Sequence, residues 1–140
     1  MDICILLSIL FLYHIYSALE GRREAFYWYI RNLASDSTKI TIGHTEHIWF
    51  AMQRGCVLII IGLLCGSVII PICLACMFIM VHDGYYYATR NDLDSETYPK
   101  RFVDYSTTST TKLTLKFWVR LTIYAIGLSG FTYTVNYPRP

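Results

Sequence analysis

The chain has 140 residues, of which 54% are hydrophobic and only 16% are charged, and its formal net charge is +2. A soluble domain usually carries about 25% charged residues, so this composition disfavours an ordinary soluble domain and predicts an integral membrane protein. Basic residues are interspersed with acids in both polar stretches. Such a pattern forms no basic surface that would bind a phosphate backbone, and we therefore expect no nucleic-acid partner.

The first predicted element is a membrane-spanning helix over about residues 3–20. Residues 3–19 are uncharged apart from the titratable His14, for which we expect a hydrogen bond to a neighbouring helix. No basic region precedes this segment and no small-x-small pattern follows it, so we expect a retained anchor instead of a cleaved signal peptide. The helix is predicted to continue past the membrane through residues 20–33, with the aromatic rings of residues 26–29 at headgroup level.

The middle of the chain forms either one kinked span or two spans joined by a turn. Residues 35–43 are predicted to be a loop from their Ser, Thr, Asp and Gly content. Residues 55–81 then contain no Asp, Glu, Lys, Arg or His, and this run exceeds the ~18 residues that mark a span. One span requires a kink at Pro71, whereas two spans require a turn at residues 65–67, with Pro71 in the first turn of the next helix.

The distribution of charge favours the two-span interpretation of this block. In that arrangement eleven of the 12 Lys and Arg residues lie on one face of the membrane and only Arg139 lies opposite. The positive-inside rule makes the first face cytoplasmic and places both termini outside. With a single span the basic residues divide almost evenly, which gives no orientation. We therefore favour four spans in all, with three as the alternative.

The last span is predicted over about residues 115–134, after a long polar loop. The hydroxyl run at residues 106–111 is predicted to cap this helix in solvent, with a headgroup-binding nest as the alternative. Gly127 and Gly130 are spaced to let another helix approach closely. The predicted fold is therefore an all-α, polytopic transmembrane helical bundle in one domain. Its spans are 3–20, 47–65, 68–86 and 115–134, and its polar loops are 21–46 and 87–114.

Ionisable residues from three helix ends reach the same face of the membrane in the four-span arrangement. The candidate polar cluster consists of Glu20, Arg23, Glu24, His44, Glu46, His47, Arg54, His82, Asp83 and Arg90. Arg54 would lie about 10 Å below His47 along a helix, so it is expected to meet an acid, either Asp83 or Glu20. Arg120 is likewise an ionisable residue within an apolar span, the last one.

A metal site and a redox site are the alternatives to plain charge pairing. Six residues have the right donor chemistry for a metal site in a helix bundle, namely Glu20, Glu24, His44, His47, His82 and Asp83. The Glu-x-x-His spacing of di-iron bundles and the His boxes of membrane oxygenases are absent, so we expect charge pairing and no cofactor. Cys73 and Cys76 form a C-x-x-C in an apolar setting, which predicts small hydrophobic residues instead of reactive thiols.

These features predict a small membrane protein, non-catalytic in the favoured interpretation, whose polar cluster holds the bundle together. The same cluster would bind a membrane partner, a second copy of the chain or a lipid headgroup. Two alternatives stay open at this point. One is a holin-like pore or small transporter, and the other is a membrane-embedded, metal-dependent enzyme.

Overall fold

The protein is an all-helical bundle. A computed structural model describes residues 2–32, 36–96 and 115–137, with the side chains of residues 30–32 and 36–48 left out of the description. Over these ranges there are four helices and no strand. The helices are α1 (Ile3–Asn32), α2 (Asp36–Cys65), α3 (Ile69–Leu93) and α4 (Phe117–Asn136). The predicted all-α helical bundle is therefore confirmed.

The middle of the chain folds back on itself at Gly66. This residue has a φ of 58°, in the left-handed region that glycine adopts without strain. The Gly66 amide donates to the Leu63 carbonyl at 3.3 Å, and the Ser67 amide donates to the Gly62 carbonyl at 3.1 Å. This pair of hydrogen bonds closes a helix end in the Schellman manner. Pro71 lies in the first turn of α3, where its missing N–H is tolerated, so the two-helix interpretation is confirmed and the kinked rod is wrong.

The beginning of α2 differs from the sequence prediction. Residues 36–43 were predicted as loop, yet α2 begins at Asp36. Asp, Ser and Thr favour the first turn of a helix as well as loops, because their side chains accept hydrogen bonds from free N–H groups. Gly43 lowers helix stability by only about 1 kcal/mol, which the rest of a 30-residue helix offsets. The hydroxyl run at 106–111 lies outside the described residues.

Helix α3 is the central element and packs against each of the other three helices. It approaches α4 closely at the two glycines of that helix. A Cβ on Gly127 would lie 2.6 Å from the Cys73 carbonyl oxygen, and one on Gly130 would lie 2.9 Å from the Cys73 sulfur. The predicted close packing at these glycines is confirmed, and the Cys73 thiol is free and buried in this contact.

The exterior of the bundle is strongly apolar. Many large hydrophobic side chains lie on the outside, among them Phe11 and Leu63, the latter 78% exposed. Soluble monomers rarely expose apolar patches larger than a few hundred Å². Two of the four helices, over Ile3–Tyr29 and Ile69–Leu93, are long and apolar enough to cross a membrane, and Trp49–Cys65 is a shorter apolar helix. These properties support membrane association.

The beginning of α1, the α2–α3 turn and the end of α4 lie at the same end of the bundle. They share the walls of a cavity of about 420 Å³, which is lined by Leu6, Gly66, Ile70 and Tyr137 among others. The buried apolar core continues from this end along the bundle. Its buried members include Tyr13, Leu74, Met77, Phe78 and Phe131.

Candidate functional site

At the other end of the apolar core, ionisable side chains from all four helices meet in one buried layer. We call this set the polar layer, and it consists of Glu20, Arg23, Glu24, Arg54, His82, Asp83 and Arg120. Glu20 and Glu24 are one helical turn apart and therefore share one face of α1. Both are nearly fully buried, with only 4% of Glu20 exposed.

Gly21 explains how α1 comes close enough to α3 for this contact. A Cβ at this position would overlap the carbonyl oxygen of His82 and would lie 3.1 Å from the Tyr86 amide nitrogen. The two backbones therefore touch where only a glycine fits, and the neighbouring carboxylates of α1 are brought against the His82 ring. Small residues at helix crossings allow this approach in general.

The centre of the polar layer is a three-way contact between Glu24, Arg54 and His82. The Arg54 Nη2 atom donates to Glu24 Oε2 at 2.7 Å. His82 Nε2 lies 2.9 Å from the same carboxylate oxygen and 3.2 Å from Arg54 Nη2. Arg54 also lies 3.5 Å from Glu20 Oε1, so one guanidinium joins α2 to both acids of α1.

His82 extends the polar layer towards α4 through its other ring nitrogen. His82 Nδ1 lies 3.0 Å from Asp83 Oδ1, and Asp83 Oδ2 lies 3.3 Å from Arg120 Nε. Arg120 is completely buried, and its guanidinium also lies over the Tyr87 ring, 5.5 Å from the centroid. A buried arginine is tolerated when carboxylate and aromatic partners replace its hydration.

The outer edge of the polar layer is formed by Arg23. Its Nη2 atom donates to Glu20 Oε1 at 2.7 Å, and its guanidinium lies 4.8 Å from the centroid of Phe50 on α2. The Arg23 side chain is 47% exposed, against 25% for Arg54. Arg23 is therefore the more weakly held of the two arginines that contact Glu20.

The polar layer is charge-balanced. Its arginines are Arg23, Arg54 and Arg120, and its carboxylates are Glu20, Glu24 and Asp83, so these groups sum to zero. The layer is neutral when His82 is neutral and carries +1 when His82 holds an additional proton. Because buried charges are stable only when they are paired, this balance permits burial of the whole set.

An aromatic band lies directly beside the polar layer, on the side away from the α2–α3 turn. We define it as residues 26–29, 49–50, 85–87 and 117–118, one segment from each helix. The Tyr27 and Phe50 rings pack with centroids 6.4 Å apart, which places α1 and α2 at one level. Trp49 and Trp118 point outward and are mostly exposed. His82 stacks between this band and the core, on Tyr86 and Phe78.

Six of the ten residues in the predicted cluster lie in the polar layer. They are Glu20, Arg23, Glu24, Arg54, His82 and Asp83. Arg90 is also buried, but it lies about 12 Å beyond His82 along α3. The side chains of His44, Glu46 and His47 lie outside the described residues.

Only one of the two predicted partners of Arg54 is correct. Glu20 does contact Arg54, yet Glu24 is the closer partner, and Asp83 pairs with Arg120 instead. Arg120 and Gly21 were absent from the predicted cluster. A lone arginine in an apolar helix was the available sign for Arg120, since such a residue needs a buried partner. Nothing in the sequence identifies Gly21 as a contact point.

The arrangement does not resemble a metal centre. Within the described residues, no group of three or more His, Cys, Asp or Glu side chains is placed to hold a metal ion. Four of the six predicted ligands are described, namely Glu20, Glu24, His82 and Asp83, and their oxygen and nitrogen atoms face arginines and one another. His44 and His47 lie outside the described side chains.

A second, smaller polar contact joins α1 to α4 nearer to the core. His14 Nδ1 lies 2.8 Å from the Leu10 carbonyl oxygen, and His14 Nε2 lies 3.1 Å from the Tyr124 hydroxyl. The first contact requires an Nδ1–H donor, because a carbonyl oxygen only accepts. The predicted hydrogen bond of His14 to a neighbouring helix is confirmed.

Comparison with known proteins identifies no relative. No family model, no curated protein and no solved structure matches this chain.

Proposed function

We propose that the protein is a four-span membrane protein without catalytic activity, in which the polar layer holds the helices together. In this role it keeps its polar segments at one membrane face, where they bind a partner or lipid headgroups. The observation that carries the proposal is the contrast between a charge-balanced polar layer, in which Glu20, Glu24, His82 and Arg120 are buried, and an apolar exterior. A membrane protein places its ionisable residues inside the bundle and its apolar residues towards lipid.

The length of the bundle supports this orientation. From the aromatic band to the α2–α3 turn, residues 49–65 of α2 and 69–86 of α3 each measure about 25 Å at ~1.5 Å per residue. Residues 117–136 of α4 measure about 30 Å on the same basis, close to the hydrocarbon thickness of ~30 Å. The aromatic band then lies at one interface, where exposed Trp and Tyr are favoured. The exposed Tyr133 and Tyr137 lie at the other.

The sidedness follows from the positive-inside rule. The polar layer and the segments beyond it carry eleven of the 12 Lys and Arg residues, so this face is proposed to be cytoplasmic. The beginning of α1 and the end of α4 share the opposite end with the α2–α3 turn, which supports both termini being outside.

Accessibility mapping of single cysteines tests the four-span arrangement. In a background lacking the five native cysteines, the substitutions are Asp36→Cys, Ser67→Cys, Ser95→Cys and Pro138→Cys. A membrane-impermeant maleimide is expected to label positions 67 and 138 in intact cells, and positions 36 and 95 only after permeabilisation. Labelling of 36 and 95 from opposite sides would reject the arrangement.

Two measurements on purified protein separate the other functions. A pore or transporter would place ionisable groups along the bundle axis. The ionisable groups of the polar layer instead lie at one level of the bundle. We expect liposomes containing the protein to retain a trapped dye, and rapid leakage would favour the pore. We also expect the purified protein to hold well below one metal ion per chain, and a stoichiometric metal would favour the enzyme.

A further inference from the structure

His82 lies between two carboxylates, and each of its ring nitrogens faces one of them. Nδ1 lies 3.0 Å from Asp83 Oδ1, and Nε2 lies 2.9 Å from Glu24 Oε2. An ionised carboxylate only accepts hydrogen bonds, and a neutral imidazole donates through one nitrogen alone. With both carboxylates ionised, both contacts are therefore hydrogen bonds only when the His82 ring carries one additional proton.

Arg54 supplies a different partner when that proton is absent. Its Nη2 atom lies 3.2 Å from His82 Nε2 and remains bonded to Glu24 Oε2 at 2.7 Å. A neutral His82 that donates from Nδ1 to Asp83 has a lone pair on Nε2, and this lone pair accepts from Arg54. Loss of the proton therefore replaces the bond from α3 to α1 by a bond from α3 to α2.

The charges around His82 act in opposite directions on the two protonation states. Glu24 on α1, Arg54 on α2 and Asp83 on α3 contact the ring directly. Behind them, Glu20 pairs with Arg54, Arg120 with Asp83, and Arg23 with Glu20. The neutral ring leaves the polar layer uncharged but brings a lone pair against Glu24. The cationic ring satisfies both carboxylates but gives the layer a charge of +1. Each protonation state thus has one favourable and one unfavourable contribution to its free energy.

The backbones of α1 and α3 are in close contact beside the Glu24–His82 pair. Gly21 packs against the carbonyl of His82 itself, where an added Cβ would overlap the oxygen. His82 therefore changes its hydrogen-bond partner through small side-chain movements, while α1 and α3 stay in contact.

We propose that Glu24 and His82 together form a binding site for one proton, and that this proton decides whether His82 bonds to α1 or to α2. The site adds proton-dependent regulation to the polar layer and rests on the proposed role of that layer in holding the helices together. A membrane protein with such a site responds to the pH of the compartment that the layer faces.

Nitrogen NMR of the full-length protein, labelled with ¹⁵N-histidine and reconstituted in lipid nanodiscs, tests the proposal. The chain has four histidines, and the His82 signals are assigned with His82→Gln. Between pH 4 and 9, His82 is expected to change from a ring protonated at both nitrogens to one protonated at Nδ1 only. With Glu24→Gln, the amide donates to Nε2 and favours the neutral ring, so the midpoint should move down by at least one pH unit, a tenfold loss of proton affinity.

A matched control is His14→Gln, which removes the other described histidine contact and should leave the His82 midpoint unchanged. Helix content by circular dichroism verifies that each variant is folded. If His82→Gln does not fold, the His82 signals are assigned through Arg54→Lys, which alters a direct neighbour of the ring. The proposal is overturned if His82 keeps one protonation state throughout, or if Glu24→Gln and His14→Gln leave the same midpoint.

The NMR titration and the cysteine accessibility mapping test separate claims, so either claim can be rejected while the other holds. A His82 midpoint that moves in Glu24→Gln, together with cysteines 36 and 95 on opposite sides, would reject the four spans and keep the proton site. A correct cysteine map with an unresponsive His82 would reject the proton site alone.

Discussion

The two ends of the bundle are held by different kinds of interaction. At one end, the polar layer joins named atoms over short distances, such as Arg54 Nη2 to Glu24 Oε2 at 2.7 Å. At the other end, the helices are joined by a glycine turn and by apolar contacts around Ile70 and Phe131, next to a cavity of about 420 Å³. Directional polar contacts are thus concentrated at one end and apolar packing at the other.

The difference indicates where the arrangement of the helices is specified. In a bilayer, apolar contacts between helices favour no particular pairing, because lipid chains are as apolar as leucine. A buried ion pair does discriminate, since the wrong neighbour would leave a charge unpaired in a medium of low dielectric constant. We therefore expect substitutions in the polar layer to have larger effects than comparable changes at the turn.

Arg54→Met is expected to have the largest effect. It leaves the buried Glu24 without its closest cation, and removal of one partner of a buried pair typically lowers the free energy of unfolding by about 3–5 kcal/mol. Arg23→Met is the matched control, because Arg23 is nearly half exposed and Glu20 keeps Arg54 at 3.5 Å, and we expect a loss below about 1 kcal/mol. Unfolding of both variants in mixed micelles by sodium dodecyl sulfate measures the difference. Equal losses would show that burial in the polar layer does not matter.

Gly21→Ala is expected to have an intermediate effect. The added methyl group meets the His82 carbonyl, so α1 and α3 must move apart, and overpacking of this kind typically costs about 1–3 kcal/mol. Gly55→Ala is the control, since a Cβ there meets nothing within 4 Å, and it should stabilise the helix by up to about 1 kcal/mol. The same detergent unfolding measures both. A neutral Gly21→Ala would mean that the α1–α3 contact is not close.

Gly66→Ala is expected to have the smallest effect. A residue with a Cβ in the left-handed conformation loses about 1–2 kcal/mol, and no neighbouring atom adds a clash. Gly66→Asn should recover much of this loss, because asparagine tolerates a positive φ at a helix end. Thermal unfolding followed by circular dichroism compares the two variants. A loss above that of Arg54→Met would reverse the ranking of the two ends.

The sequence predicts the fold-back at Gly66 well, because its causes are local. A long uncharged run, a glycine and a proline at the right spacing are sufficient for a turn between two helices. The prediction of a loop over residues 35–43 is wrong for residues 36–43 for a related reason. Polar residues that favour loops also favour the first turn of a helix, and local preference does not distinguish the two.

The composition of the polar layer could be predicted in part, but its pairing could not. Lone charges in apolar stretches indicate that residues such as Arg54 and Arg120 need buried partners. Which acid each arginine meets depends on the rotation of every helix about its own axis, which changes by about 100° per residue. The choice of Glu24 over Asp83 for Arg54 is therefore a property of helix packing.

The amino-acid sequence by itself determined the helices, the turn between the second and third, and the need to bury charge. These features follow from hydropathy, glycine and proline, which act over a few neighbouring residues. The tertiary structure alone decided that Gly21 packs against the His82 backbone and that the His82 ring lies between Glu24 and Arg54. The physical reason is that these contacts join residues about 30 to 60 positions apart, whose meeting depends on how whole helices pack.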